Sequence, residues 1–514
     1  MNWMRHGALV VLTLAAAIAG CGGGGSDNSA PVPATPPGSG YSDPAAYSSA
    51  AYASLASALE GAAVTSHTLD LGGRSIAYAA TAGHLTATDP ASGTPQASMF
   101  YVAYTADGVA AATRPIVFFY NGGPGSATVW LHLGSFGPRR IVTNAPSTTV
   151  PVPFQLVDNA ESLLDTADLV FVDAVGTGYS EAIAPATNQT FWSVDADARV
   201  MRNFISRFVA VNQRAASPTF LYGESYGTTR SAVLANLMVT AGMRLDGVVL
   251  HSSVLDYNAN CGLFDPGQVS CAGYLPSYGM TGAWFNLVTP PPTDSAIWAQ
   301  QMRDFTDVQY TPAVAAFIGT GTLPAATLID DLVNRTGAPR PLWVANFNLD
   351  PTRYRSQTLP VQLMGRYDAR IAVATTSPLA AGGDPSASVI SAPFTAAQRA
   401  HLANELLYSS ASTYTLLSGA INTWGFAHDG RPLPDTIPDL ATALAQQPSL
   451  RVLSLNGYHD LATPFRQTEL DLARLGAVPG LQIKLYAGGH MTYLDDNSRP
   501  LMKADLVRFI TGAP

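Results

Sequence analysis

The chain has 514 residues, 47% of them hydrophobic and only 12% charged, with a formal net charge of −9. So much apolar material excludes a disordered polypeptide and supplies a sizeable core. The 27 lysines and arginines are scattered through an acidic chain with no basic run longer than the pair Arg139–Arg140, which argues against nucleic acid as a partner.

The first element is an address. Arg5 precedes an apolar run, Ala8–Gly20 (ALVVLTLAAAIAG), too short to span a bilayer and ending in small residues directly ahead of Cys21. Residues 1–20 resemble a bacterial lipoprotein signal peptide, with Cys21 lipidated as the mature N-terminus. The alternative is an ordinary secretory signal with a chance cysteine beside its cleavage site. Either implies export; the first implies a protein anchored to a membrane and facing the periplasm or the cell exterior. Residues 21–47, with GGGGSDNSAPVPATPPGSG near their start, are expected to be a flexible tether with nothing to bury. A lipid anchor followed by a spacer suits an enzyme that touches the membrane there alone and works in water.

Residues 48–255 are expected to form the first part of an α/β core. Met99–Thr105 (MFYVAYT) alternates and fits an antiparallel edge. Short continuous apolar runs follow, each leading into turn residues: PIVFFY into NGGPGS, DLVFV into DAVGTGYS, and TFLY into GESYG. GVVL then comes after a helical stretch, Thr228–Met243. Buried strands alternating with helices predict a mostly parallel central sheet covered by helices on both faces. Between residues 256 and 445 the rhythm breaks into TPPPTD and helical segments such as Ala396–Leu417, which predicts a largely helical cap inserted at the carboxyl edge of the sheet. Its two cysteines, Cys261 and Cys271, are most simply a local disulfide in an exported chain; a two-cysteine metal site is the weaker reading, because no histidine pair lies nearby. Residues 446–514 return to the core with LRVLSL, LQIKLY and an amphipathic helix in RPLMKADLVRFI.

Chemistry concentrates at the strand ends. G-E-S-Y-G, between a strand and a helix, fits a nucleophile elbow that lifts the Ser225 hydroxyl above the sheet. A serine needs a base and the base an orienting acid, in the order Ser, Asp, His. NGYHD places Asp460 after one strand, and AGGHM places His490 after the next. His459 is a rival base, but residues adjacent on one turn rarely present side chains to each other, so it would be poorly set to pair with Asp460. Asp173 is a rival acid, disfavoured because it precedes the nucleophile. NGGPG offers bare backbone at a strand end, so the N–H groups of Gly123 and Tyr226 are expected to receive the oxyanion. A phosphate loop is the other use of such glycines, but no Gly-Lys-Ser/Thr follows.

NGGPGS, DAVGTGYS, GESYG, an Asp-bearing strand end and GGHM, in that order over roughly residues 60–514, resemble the serine carboxypeptidase family of α/β hydrolases. The resemblance implies the triad Ser225, Asp460 and His490, and peptide C-termini as substrate. It also implies that Asn121 and Glu224 hydrogen-bond the free C-terminal carboxylate, which requires a proton on one of the two facing carboxyls. No metal or cofactor is implied. Ser135 stands where many members have a second glutamate, so Glu224 is expected to ionise more easily here. Ser126 replaces a frequent cysteine and Phe119 a common tryptophan. An esterase or acyltransferase using the same triad is the alternative enzyme. A binding protein on a dead hydrolase scaffold is disfavoured, since every catalytic position is filled.

Overall fold

The computed structural model describes residues 38–262 and 269–513. Nine strands form the backbone of the main sheet: β1 (Ala62–Leu71), β2 (Arg74–Thr88), β3 (Pro95–Ala106), β4 (Ile116–Tyr120), β5 (Asp168–Val172), β6 (Thr219–Glu224), β7 (Gly247–His251), β8 (Arg451–Gly457) and β9 (Leu481–Tyr486). Their order across the sheet is β9-β8-β7-β6-β4-β5-β3-β2-β1, and the two-residue strand Glu181–Ala182 adds to β3. From β9 to β5 every pairing is parallel. β3, β2 and β1 continue antiparallel. The expected antiparallel segment is thus a three-stranded flank.

The parallel strands are buried along their whole length, as in IVFFY and DLVFV, because helices cover both faces. Helices α1 (Val194–Val211) and α2 (Tyr226–Thr240) pack against each other. The terminal helix α6 (Ser498–Thr511) brings Phe509 edge-on to Phe220 of β6. Within residues 256–445 lie α3 (Pro385–Asn404) and α4 (Ile437–Gln446); α5 (Phe465–Ala473) follows β8.

The insertion is mostly helical, with a core of its own around Trp343, Tyr310 and Tyr354 that reaches Leu461 and Phe465 of the returning chain. Cys261 and Cys271 are bonded, with Cα atoms 5.4 Å apart. Three boundaries differ from expectation. The tether ends early: Tyr41–Asp43 pairs in parallel with Tyr408–Ser410, and the Tyr47 ring stacks on His84, so residues 41–47 belong to the fold. The helix expected over residues 396–417 instead runs Pro385–Asn404, capped by Asp384. The core resumes before residue 446, because α4 packs on α2. The expected signal peptide and Cys21 lie outside the described residues. No helix among the described residues is long and apolar enough to cross a membrane.

Candidate active site

The elbow follows from two glycines and one strained serine. Ser225 links β6 to α2 with φ +59° and ψ −129°, a conformation that side chains rarely adopt. A Cβ on Gly223 would sit 2.2 Å from the Gly227 carbonyl oxygen, so the turn closes only around glycine. Its backbone is tied down as well, with the Ser225 N–H donating to the His251 carbonyl of β7 (3.0 Å).

Facing the elbow is the loop after β4. Gly122 approaches so closely that a Cβ there would meet the Tyr226 nitrogen at 2.5 Å. Arg230, fully buried in α2, fastens the two segments: it donates to the Asn121 carbonyl (2.9 Å) and holds Asp197 of α1 through two bonds of 2.7 and 3.2 Å. Tyr226 is the first residue of α2, so its N–H has no intrahelical acceptor. Gly123 and Ser225 line one cavity of about 490 Å³, together with Asn121, Glu224 and His490. Backbone donors at this spot suit a developing oxyanion.

Asp460 and His490 meet as the spacing implied, His490 Nδ1 lying 2.7 Å from Asp460 Oδ2. The other carboxylate oxygen accepts the N–H groups of Ala462 (2.7 Å) and Thr463 (3.0 Å), which fixes the acid against rotation. The Thr463 hydroxyl lies 2.8 Å from Asp460 Oδ2 and 3.1 Å from His490 Nδ1. With Nδ1 engaged, Nε2 is the ring nitrogen not taken up by Asp460, and His490 lines the same cavity as Ser225. Burial pulls the imidazole pKa down, but the adjoining Asp460 carboxylate outweighs it, so the pKa is raised.

The rivals stand elsewhere. Asp173 accepts the Thr128 N–H (2.8 Å) and the Tyr414 hydroxyl (3.1 Å), and burial pushes its carboxyl up to about 6. It supports the loop that follows β4. His459 is buried beside Trp284, its pKa driven well down by burial.

Glu224 is buried and accepts a bond from Asn121 Nδ2 (2.8 Å), while Oε2 has no hydrogen-bond partner among the described residues. Burial pushes its carboxyl up to about 7 against the opposing influence of His490 and of the neighbouring Tyr493 hydroxyl. Sealing Glu224 from water thus raises its carboxyl above the free value even with a serine at position 135. Ser135 itself turns its hydroxyl back onto the Leu131 carbonyl.

Four contributors escaped the sequence reading. His251 has Nδ1 3.8 Å from Glu224 Oε2 and is kept neutral by burial. Tyr493 flanks the same carboxyl. Arg230 left one faint signal, a lone charge in an otherwise small and apolar helix. Tyr367, from the insertion, lies with its ring 4.9 Å from that of His490, and its carbonyl accepts the His490 N–H (2.5 Å). Nothing local marks it.

Residues 74–261 match the family model for serine carboxypeptidases, Peptidase S10. The chain is similar to Serine carboxypeptidase-like 33 of Arabidopsis thaliana, 30% identical over 148 residues, which are 27% of this chain and 28% of that protein. It is also similar to the pheromone-processing carboxypeptidase KEX1 of Cryptococcus gattii, 29% identical over 152 residues, covering 28% of this chain and 21% of that one. The aligned stretch spans less than a third of either relative. In three dimensions the chain resembles KEX1(DELTA)P, a prohormone-processing carboxypeptidase from Saccharomyces cerevisiae, with a TM-score of 0.53, 14% identity, and 85% of this chain and 91% of that chain covered. At that identity the likeness establishes the fold, that of the α/β hydrolases, as the strand order also indicates.

Proposed function

We propose that the protein is a serine-type carboxypeptidase that releases residues from the C-terminal ends of peptides through an acyl-enzyme. The observation that carries this reading is the buried Asn121–Glu224 pair in the same cavity as Ser225 and His490. A carboxyl held protonated beside a nucleophile has little use toward a plain ester, but it can donate a hydrogen bond to a substrate carboxylate. The similarity over residues 74–261 supports the same conclusion.

In this mechanism Ser225 Oγ bonds to the last peptide carbonyl carbon and its proton passes to His490 Nε2. The N–H groups of Gly123 and Tyr226 receive the negative oxygen. The C–N bond then breaks as His490 returns the proton to the departing amine. Water attacks the acyl-serine along the same path, with His490 again accepting and then delivering the proton, which frees the shortened peptide and Ser225.

The test is paired. A peptide with a free C-terminus loses its last residue, and the same peptide capped as an amide is turned over at least about tenfold more slowly, as expected for loss of a charge-assisted bond. A fluorophosphonate probe labels Ser225 in the wild type and not in Ser225→Ala. Equal turnover of the free and capped forms would instead favour an esterase, and no labelling a dead scaffold.

We also propose that the protein is exported and held at a membrane by a lipid on Cys21. This reading rests on the apolar run Ala8–Gly20 ending directly at that cysteine. Metabolic incorporation of a fatty-acid label, abolished in Cys21→Ser, is the expected result.

A further inference from the structure

The cavity that holds Ser225 is notable for the charges that line it. Among the described lining residues Glu224 and His490 are the only carboxyl and imidazole, with no arginine or lysine beside them, and burial keeps the Tyr367 and Tyr414 phenols neutral; both Glu224 and His490 already have tasks. The remaining walls are apolar or neutral. Trp130, Ile390 and Met491 contribute, as do Leu416 and Leu417, the latter 67% exposed. The polar groups beside them are neutral hydroxyls such as Thr413 and Thr415. Ile390 and Met491 also border a smaller hollow of about 30 Å³, where Ile371, Val389 and Leu494 lie beside Asp368, Ser147 and Ser386, and the Asp368 carboxylate is already paired with Arg370 (2.7 Å).

Both ends of the substrate's last residue are pinned inside this cavity. Its carboxylate meets Asn121 and Glu224, and its amide nitrogen leaves from the carbon attached to Ser225. The side chain between those two points shares the remaining lining with the residue whose carbonyl Ser225 attacks. A volume of about 490 Å³ accommodates a bulky group there.

From this geometry we infer that the enzyme selects peptides whose last residue is large, apolar and uncharged, with Leu417 forming part of the surface that recognises it. The inference rests on the carboxypeptidase reading and adds the substrate class. A lysine or arginine side chain would lose its water and face only Glu224, which is occupied by the terminal carboxylate. An aspartate or glutamate side chain would find no arginine or lysine among the described lining residues, since Arg366 lies behind the Tyr367 ring. In either case a charge is desolvated without a partner. A phenylalanine, leucine or methionine side chain gains by burial.

The experiment uses the full-length protein and a set of peptides of identical sequence that end in Phe, Leu, Lys or Glu, with kcat/KM measured for release of the last residue. Phe and Leu are expected to leave at least about tenfold faster than Lys or Glu, the scale on which pockets discriminate side chains. Leu417→Asp, at an exposed position where folding is not at stake, should raise the Lys-to-Phe ratio by about tenfold through a new carboxylate in the wall. Release of Lys or Glu as fast as Phe overturns the inference and leaves the carboxypeptidase reading intact. An unchanged Lys-to-Phe ratio in Leu417→Asp overturns the placement of the side chain against that wall. Failure to release a residue from any free-ended peptide overturns the carboxypeptidase reading, and the inference with it.

Discussion

Glu224 precedes Ser225 directly, where an ionised carboxylate would repel both the oxyanion and a substrate carboxylate. Two such charges about 4 Å apart repel by about 4 kcal/mol at an effective dielectric of 20. Burial removes the difficulty by pushing the Glu224 carboxyl up to about 7, so that below that pH it is a neutral donor. As pH rises through about 7 the proton is lost, and KM for free-ended peptides should rise. The acid limb has the opposite origin. In the proposed mechanism His490 accepts a proton only as the neutral imidazole, and the Asp460 carboxylate raises its pKa, so kcat should fall as pH drops through that pKa. Glu224→Gln keeps a donor that does not titrate. Steady-state kinetics on this variant should show a KM that no longer rises above about pH 7, with the acid limb of kcat retained.

At the scale of elements, the proposed triad draws on three chain segments, and a fourth braces two of them. A turn of the insertion carries Arg366 and Tyr367. The Arg366 carbonyl accepts the Leu461 N–H (3.0 Å), the Tyr367 carbonyl accepts that of His490 (2.5 Å), and the Ala369 N–H donates to His459 (3.0 Å). One short turn thus splints both the acid loop and the base loop. Tyr367→Ala keeps those backbone bonds but removes the ring beside the imidazole. It should lower kcat by about tenfold with KM within about twofold, since misplacement of a catalytic group acts on the chemical step; a change confined to KM would sink this assignment. The splint was illegible in the sequence because its bonds join residues about a hundred positions apart and involve backbone atoms, which leave no compositional trace. The strands were legible because runs such as IVFFY and DLVFV, buried on both faces, have to be continuously apolar. The meeting of Asp460 with His490 was legible because each sits shortly beyond such a strand. Helix α3 was misplaced because Pro385 opens it and Pro393 interrupts its pattern, while the apolar residues of Tyr414–Leu417, read as more helix, are extended chain over the cavity. Helix α4 carries no local sign that it rests on the core rather than on the insertion.

Across the whole molecule, the insertion is joined to the core by charge as well as by packing. His428 lies between Asp195 of α1 (2.7 Å) and Asp439 of α4 (2.8 Å). Its bond to Asp439 leads in pushing the imidazole up to about 9. Because the folded value exceeds the ordinary one near 6.5, the stabilisation is complete below about pH 6.5 and is lost as pH climbs through about 9. The imidazole is buried but its partner Asp195 is 42% exposed, so solvent screening keeps the effect modest. Thermal unfolding should therefore show a Tm gap between wild type and His428→Gln that is widest at about pH 6 and closes by about pH 10.

The short parallel pairing of Tyr41–Asp43 with Tyr408–Ser410 extends through the Tyr47 N–H on the Ser412 hydroxyl (2.7 Å) and the Thr415 hydroxyl on that of Ser49 (3.2 Å). Thr413, Thr415, Leu416 and Leu417 wall the cavity just beyond. The leading end of the folded chain is therefore a seam along one lip of the catalytic pocket. Trimming it back past Ser49 would unpick that lip and also strip the Tyr47 ring from His84 of β2, so the same short segment serves the sheet and the cavity wall at once.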